Sequence, residues 1–173
     1  MKIRCGNKSD IEQIFKLYLA TATIKDGLAR TVQEISLKYI TDFVKNSLKT
    51  GLIFVVENEV NQLIAEIHCY KHEPKCFEHT LGNMTLAVHP DFIGQGWGKK
   101  IFSHLLEEVK NSHPEIVRVE LFTRQNNQKA IKLYQSLGFV VEGICRKRIL
   151  DGNGKLDDDT MMSWINPNFQ VNC

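Results

Sequence analysis

Apolar and polar positions recur along this chain with a period that changes from segment to segment, and the changes mark out its elements. Ile11, Ile14, Leu17 and Tyr18 fall at helical spacing after Ser9-Asp10, a pair able to cap a first helix. Ile35, Tyr39, Ile40, Phe43 and Val44 share one side of a second helix over residues 32–48, with a polar connection over residues 21–30 between the two. The pattern then shortens. Residues 51–57 and 62–69 read as a hairpin around residues 58–61, and residues 80–88 as the next strand. An amphipathic helix follows, then a strand over residues 117–123 and a short helix from Asn127 to Gly138. Closing strands lie near residues 139–149 and 161–165, split by the turn Asp151-Gly152-Asn153-Gly154. The order βααβββαβαββ predicts an α+β fold, a mixed and mostly antiparallel sheet of about seven strands flanked by helices. No repeat, low-complexity tract or linker interrupts it, so residues 1–173 are expected to form one domain.

Composition narrows the class. At 173 residues, 43% hydrophobic and 24% charged, the chain can bury one substantial core but not two ordinary ones. The formal charge of +2, with no basic run, argues against nucleic acid as the main partner. No apolar stretch approaches the roughly 20 residues of a membrane span. The N-terminus lacks the apolar core of a signal peptide, so a cytoplasmic protein without membrane contact is expected. The five cysteines, at positions 5, 69, 76, 145 and 173, show neither a CxxC pair nor zinc-site spacing with histidine. They read as buried or incidental thiols, and no metal is expected.

The richest chemistry lies in residues 85–110, where an apolar strand runs into a glycine-rich turn and the turn opens into the amphipathic helix. The first amides of a helix lack intrahelical partners, and the helix dipole adds partial positive charge there, so a phosphate group can sit against them. Gly94, Gly96 and Gly98 leave the backbone free of side chains, and Lys99 and Lys100 add full charges. A Walker loop is excluded, because Ile93 stands where its first glycine belongs and Lys100 where its hydroxyl belongs. A dinucleotide fingerprint from Gly94 also fails, with Lys99 in place of the third glycine. A second segment follows from Asn127 to Phe139, with Ala130, Ile131, Leu133, Tyr134 and Leu137 largely on one side, Asn127 at the capping end and Gly138 at the C′ position. Taken alone, that segment is ordinary structure.

Taken together, the two segments resemble the GNAT superfamily of N-acetyltransferases, which transfer acetyl from acetyl-CoA to an amine. The family pattern Gln/Arg-x-x-Gly-x-Gly/Ala, which cradles the CoA pyrophosphate, is represented by Ile93-Gly94-Gln95-Gly96-Trp97-Gly98. The second pattern, Asn-x-x-Ala-x-x-Leu-Tyr-x-x-x-Gly-Phe, is matched at each named position from Asn127 to Phe139. The chain departs at Ile93, where the family has Gln or Arg. The resemblance implies acetyl-CoA as co-substrate, held by Gly94, Gln95, Gly96, Trp97, Gly98 and Lys99 at the pyrophosphate. It implies the main-chain groups of Leu86, Ala87 and Val88 at the pantetheine and acetyl oxygen, and Asn127 at the pantetheine arm. Tyr134, by the same resemblance, lies at the cofactor and is the general acid toward the CoA sulfur, protonated at neutral pH with a reference pKa near 10.

The general base stays open at this level. Glu66, His79 and Glu120 lie on or beside strands, and none has a motif that singles it out; Glu66 shares a strand face with His68 and Tyr70, which reads as readily as a solvated face. His68, His72 and His89 are weaker candidates. The resemblance places the acceptor between the first helices and the last hairpin, residues 25–39 and 145–159, where the acidic run Asp157-Asp158-Asp159 reads as a solvated loop or as an attraction for a cationic amine. A small primary amine of amino-acid or polyamine type is the expected partner, with a protein N-terminus or lysine as the alternative. A non-catalytic acyl-CoA-binding module is the alternative from another class. The resemblance also allows a homodimer through sheet edges or the late strands.

Overall fold

A computed structural model describes residues 1–24, 27–151 and 154–170. One sheet of seven strands runs in the order β1-β2-β3-β4-β5-β7-β6. Here β1 is Lys2–Cys5, β2 Gly51–Glu57, β3 Leu63–Lys71, β4 Thr80–Val88, β5 Arg118–Arg124, β6 Val140–Leu150 and β7 Leu156–Ile165. Among the described residues four α-helices accompany it: α1 Ile11–Ala22, α2 Leu37–Thr50, α3 Trp97–Ser112 and α4 Gln128–Ser136. The ladders β1–β2, β2–β3, β5–β7 and β6–β7 are antiparallel, while β4 pairs β5 in parallel through Thr80 with Arg118 and Leu81 with Val119. The expected element order and mixed sheet are therefore present. None of the described helices is long and apolar enough to cross a membrane. The chain condenses into two compact units, Met1–Lys71 with Asn83–Glu108, and His72–Gly82 with Val109–Cys173.

In the first unit the sheet carries helices on both faces, because its strands are apolar on both. Register places Ile53 opposite His68 and Val55 opposite Glu66. These positions face α1 and α2, whose Ile14, Leu17, Tyr18, Ile40, Phe43 and Val44 build the main cluster together with Ala87 of β4. Phe54 points the other way, where its ring meets His104 of α3 edge-on at 4.8 Å, and Ile101, Phe102 and Leu105 of α3 are fully buried. The start of α1 is fastened to the sheet by Arg4, whose guanidinium reaches both Asp10 oxygens at 2.8 Å and Glu57 at 2.6 Å.

Two boundaries differ from the sequence expectation here. The cap before α1 is supplied by Asn7, whose Oδ1 accepts from the Ser9 amide, while Asp10 accepts from the Asn7 amide in return. The second helix does not begin at residue 32. Val32–Glu34 forms a separate 3-10 turn closed by a Thr31–Glu34 capping box, Ile35 is extended, and Ser36 caps α2 afresh by accepting from the Tyr39 amide at 3.1 Å. Two good caps five residues apart split what periodicity alone reads as one helix.

In the second unit β7 lies between β5 and β6, and Ile131, Phe139, Val119, Leu121 and Met162 are buried. Strand β7 starts at Leu156, earlier than expected, because the acidic residues belong to the ladder: Asp159 pairs with Arg124 on one side and Cys145 on the other. Strand β6 bulges between Cys145 and Ile149, with Lys147 at φ +53 and its amide donating to Asp158 Oδ1 at 2.7 Å. Of the expected turn at residues 151–154, Gly152 and Asn153 lie outside the described residues; the flanking Asp151 and Lys155 bond each other, backbone and side chain.

The Arg4 clamp gives a stability prediction. Burial pushes the Asp10 carboxyl up, but the Arg4 and Asn7 hydrogen bonds outweigh it and hold it below its ordinary 3.8. A depressed carboxylate stabilises the fold above its unfolded pKa and loses that contribution as pH falls through the folded value. Arg4→Ala should therefore cost about 1–3 kcal/mol at pH 7 in urea unfolding, since it strips a buried carboxylate of its cation. The gap to the wild type should narrow at pH 3, and an unchanged gap would contradict the assignment.

Candidate functional site

Strand β4 and helix α3 are joined by a short, tightly hydrogen-bonded turn. A 3-10 turn over Pro90–Phe92 follows the strand, with His89 Nδ1 accepting from the Asp91 amide and the Ile93 amide donating to the Pro90 carbonyl. Gln95 Nε2 donates back to the Asp91 carbonyl at 2.9 Å, so this side chain braces the loop. Gly94 and Gly96 then take φ of +82° and +81°, left-handed values that favour glycine. A Cβ on either would meet nothing within 4 Å, which leaves both backbone faces open. Helix α3 begins immediately afterwards, and the amides of Trp97, Gly98 and Lys99 precede its first bond to a carbonyl one turn back, Lys100 to Gly96 at 3.0 Å.

Gly98 has a different role. A Cβ there would touch Leu86 Cδ2 at 3.5 Å and Val88 Cγ2 at 3.6 Å, ordinary packing distances. Leu86 and Val88 thus aim at the start of α3, and Ala87, fully buried, packs on the α1–α2 side. Lys100 Nζ lies 4.3 Å over the Trp97 ring, and Lys99 is exposed beside it, so positive charge surrounds the turn. The structure therefore brings Leu86, Val88, Gly94, Gln95, Gly96, Trp97, Gly98 and Lys99 into one strand–turn–helix junction with the chemistry of an anion cradle. Ile93 is 44% exposed and is held by its backbone, so the turn does not depend on that side chain.

The second segment belongs to the other unit. Asn127 Oδ1 accepts from the Ala130 amide at 3.1 Å and caps α4 as expected. Gly138, at φ +92°, ends the helix, and the Tyr134 carbonyl accepts from both the Leu137 and Phe139 amides. The Tyr134 ring leans on Phe139 at 6.0 Å, and burial pushes its phenol up to about 12. That hydroxyl is a donor throughout the neutral range.

The three base candidates separate clearly. Glu120 accepts from Arg118 Nε at 2.7 Å and contacts His72 Nε2 at 3.0 Å, so it is already committed to an ion-pair cluster. His79 is exposed. Glu66 is not on a solvated face: it is 0% exposed, bonded to Tyr18 Oη at 2.6 Å and to His68 Nδ1 at 3.0 Å. Strand β3 lies inside a sheet covered on both faces, so its polar alternation points into protein on either side. Tyr18 and His68 were the unrecognised partners. The signal was the spacing Glu66-x-His68 opposite a helix whose apolar stripe contains one phenol. The acidic run also changes character, since Asp157 accepts from Asn126, Asp158 from the Lys147 amide, and Asp159 is buried 3.7 Å from Arg148.

The mixed sheet, the glycine junction after β4 and the helix α4 capped by Asn127 are the elements the sequence resemblance implied. The chain belongs to the GNAT acetyltransferase family, whose domain model matches residues 49–141. It is 39% identical over 67 residues to the L-amino acid N-acyltransferase MnaT of Escherichia coli strain K12, across 38% of this chain and 36% of that protein. It is 36% identical over 80 residues to the ribosomal protein bS18 alanine N-acetyltransferase of the same strain, across 46% of this chain and 51% of that one. The chain thus spans only 36% to 51% of these curated relatives. Its fold matches the solved structure of yncA, a putative acetyltransferase from Salmonella typhimurium with its cofactor acetyl-CoA, at a TM-score of 0.85 and 19% identity over 100% of this chain and 98% of that one. It also matches a ribosomal-protein-alanine N-acetyltransferase from Brucella melitensis at a TM-score of 0.82 and 20% identity, over 95% and 99% of the two chains.

The two kinds of glycine should respond differently to alanine. Gly96→Ala forces a side chain into a left-handed position and should cost about 1–2 kcal/mol. Gly98→Ala removes a helix glycine without a clash and should be neutral or stabilising by up to about 1 kcal/mol. Thermal unfolding of both variants checks the contrast, and equal effects would refute the roles given to the two backbones.

Proposed function

We propose that residues 1–173 form one N-acetyltransferase domain that moves acetyl from acetyl-CoA to a primary amine of a small molecule, by direct attack in a ternary complex. The observation that carries this reading is the junction of β4 and α3, an open, amide-rich turn in a chain that belongs to an acetyltransferase family. Loop amides from Gly94 onward hold the pyrophosphate, and Lys99 adds charge. Main-chain groups of Leu86, Ala87 and Val88 hold the pantetheine and the thioester oxygen, so that the carbonyl is polarised by donors fixed in a strand. Asn127 contributes to the pantetheine arm, as the matched motif implies.

Tyr134 faces the sulfur chemistry in this reading. Burial pushes the Tyr134 phenol up to about 12, above the range of an ordinary thiol, so complete proton transfer to the thiolate runs uphill. Tyr134 therefore acts by hydrogen-bonding the charge that grows on sulfur as the C–S bond breaks, with the proton following only as the product thiol forms. Tyr134→Phe should lower kcat about 10- to 1000-fold while acetyl-CoA affinity stays within about threefold. Equal turnover would remove Tyr134 from the sulfur.

An amino acid or polyamine is favoured as acceptor. The first preference draws on the likeness to the L-amino acid N-acyltransferase, and the second on the fold shared with a chimera of the spermidine N-acetyltransferase SpeG from Vibrio cholerae. The bS18-alanine relatives favour a protein N-terminus as the second reading. Thiol release from acetyl-CoA, measured with amino acids, polyamines and peptides bearing a free N-terminus, separates these. Acceptor-dependent release with a small amine is the expected result; release only with peptides would shift the acceptor to a protein. Tight acetyl-CoA binding with no acceptor-dependent release would make the protein an acyl-CoA-binding module. Gly96→Val should weaken acetyl-CoA binding by about 100-fold or more, because its side chain occupies the open face of the turn.

A further inference from the structure

The α1–α2 face of the first unit encloses a carboxyl group that the cofactor junction does not use. Glu66 on β3 is 0% exposed and His68, two residues on, is 2% exposed. Removing a carboxylate from water costs several kcal/mol unless donors replace the solvent. Tyr18 Oη spends its single hydrogen on Glu66 Oε2 at 2.6 Å, and burial and the Glu66 charge hold that phenol well above its ordinary 10. The other carboxylate oxygen, Oε1, meets only His68 Nδ1, at 3.0 Å. An ionised Glu66 therefore requires the hydrogen of His68 on Nδ1, which fixes the lone pair on Nε2.

The imidazole is locked in this orientation. Phe43 stacks on it at 3.9 Å with planes 11° apart. Nε2 makes no hydrogen bond among the described residues, yet Ser47 Oγ is the fully enclosed side-chain atom there that lacks a partner. Nε2 is thus the imidazole nitrogen left for a further partner. The same cluster abuts the part of β4 assigned to the thioester. Tyr39 packs edge-on against Tyr18 and Phe43 at 6.2 and 5.3 Å, and Ala87 of β4 belongs to the same core.

We propose that Glu66 and His68 form the proton-accepting pair of the enzyme, with His68 Nε2 taking the proton of the acceptor ammonium and Glu66 holding Nδ1–H. This deepens the acetyltransferase reading and rests on it. The ammonium gives one proton to Nε2, the freed nitrogen lone pair forms the C–N bond at the acetyl carbonyl, and the C–S bond breaks with its electron pair leaving on sulfur. The nitrogen loses a second proton as the amide forms, which balances the one gained by the CoA thiol. The imidazolium then returns the first proton to solvent. The overall change is RNH3+ plus acetyl-CoA to RNH–COCH3, CoASH and H+. Other titratable or charged groups facing the pair do not compete for that proton. Tyr18 from α1 is held protonated, Tyr39 from α2 is also raised by burial and lies under the Arg30 guanidinium at 4.1 Å, and Tyr70 continues the same face of β3. Cys69 points to the opposite face, its thiol pushed up to about 12 by burial. Strand β2 contributes Ile53 and Val55, and β4 Thr85 and Ala87, none of which titrates.

The test compares wild type, His68→Gln and Glu66→Gln in acceptor-dependent thiol release between pH 6.5 and 10, with acetyl-CoA binding measured alongside. A lost base should lower kcat/KM for the amine about 100-fold or more near pH 7 with acetyl-CoA affinity within about twofold. The deficit should shrink by up to about tenfold per pH unit toward the amine pKa near 10, where solution removes the proton instead. Glu66→Gln should follow the same trend with a smaller deficit. A deficit of constant size across this range would mean a packing role and overturn the proposal. No release by wild type with any amine would instead overturn the acetyltransferase reading, and this assignment with it. If the variants do not fold, 15N NMR of the wild-type histidines decides: His68 neutral with hydrogen on Nδ1 supports the pair, and hydrogen on Nε2 refutes it.

Discussion

The proposed function depends on a backbone constraint, the two left-handed glycines through which β4 becomes α3. A strand that ended in ordinary residues would carry side chains across the first amides of the helix. Gly94 and Gly96 remove them, and the hydrogen bonds from Gln95 to Asp91 and from Ile93 to Pro90 hold the turn in place without calling on any group that a ligand would need. The positions of Leu86 and Val88 against Gly98 follow from the same junction, since a helix that starts so soon after the strand must lie back across it. In the proposed function, cofactor binding therefore falls mainly to main-chain atoms. Ile93 contributes to the turn through its amide, and its side chain is exposed.

On the other face of the same unit the constraint is electrostatic. A carboxylate sealed between α1, α2 and the sheet must find donors, and the donors come from two different elements, Tyr18 of α1 and His68 of β3. Their convergence fixes how α1 lies on the sheet and leaves one imidazole nitrogen uncommitted. Aromatic packing from Phe43 and Tyr39 completes the enclosure, which shares its core with Ala87 of β4. On the proposed reading, the two faces of the strands carry separate tasks, anion binding on the α3 side and proton handling on the α1–α2 side.

Much of this was legible in the sequence, and the failures have physical causes. Strand β4 is found over the residues expected, because a glycine turn bounds it on one side and a polar stretch on the other. The helix from Asn127 to Gly138 is capped at both ends by the residues that signal it. Helix α2 begins late because Thr31 and Ser36 are both strong caps, and hydrophobic periodicity is blind to which one wins. Strand β7 was shortened because three consecutive acids look like a loop, whereas here they accept hydrogen bonds or sit beside Arg148 within a ladder. The burial of Glu66 was hidden for a related reason. Period-two alternation identifies a strand face but not whether a helix covers it, and the partners that make the burial tolerable lie 48 residues away in Tyr18 and two away in His68.

A crystal structure with bound CoA tests the central claim most directly. The pyrophosphate oxygens should lie within hydrogen-bonding distance of amides between Gly94 and Lys99, with the pantetheine along Leu86, Ala87 and Val88. A pyrophosphate bound away from that turn, with the Gly94 and Gly96 backbone unoccupied, would contradict it.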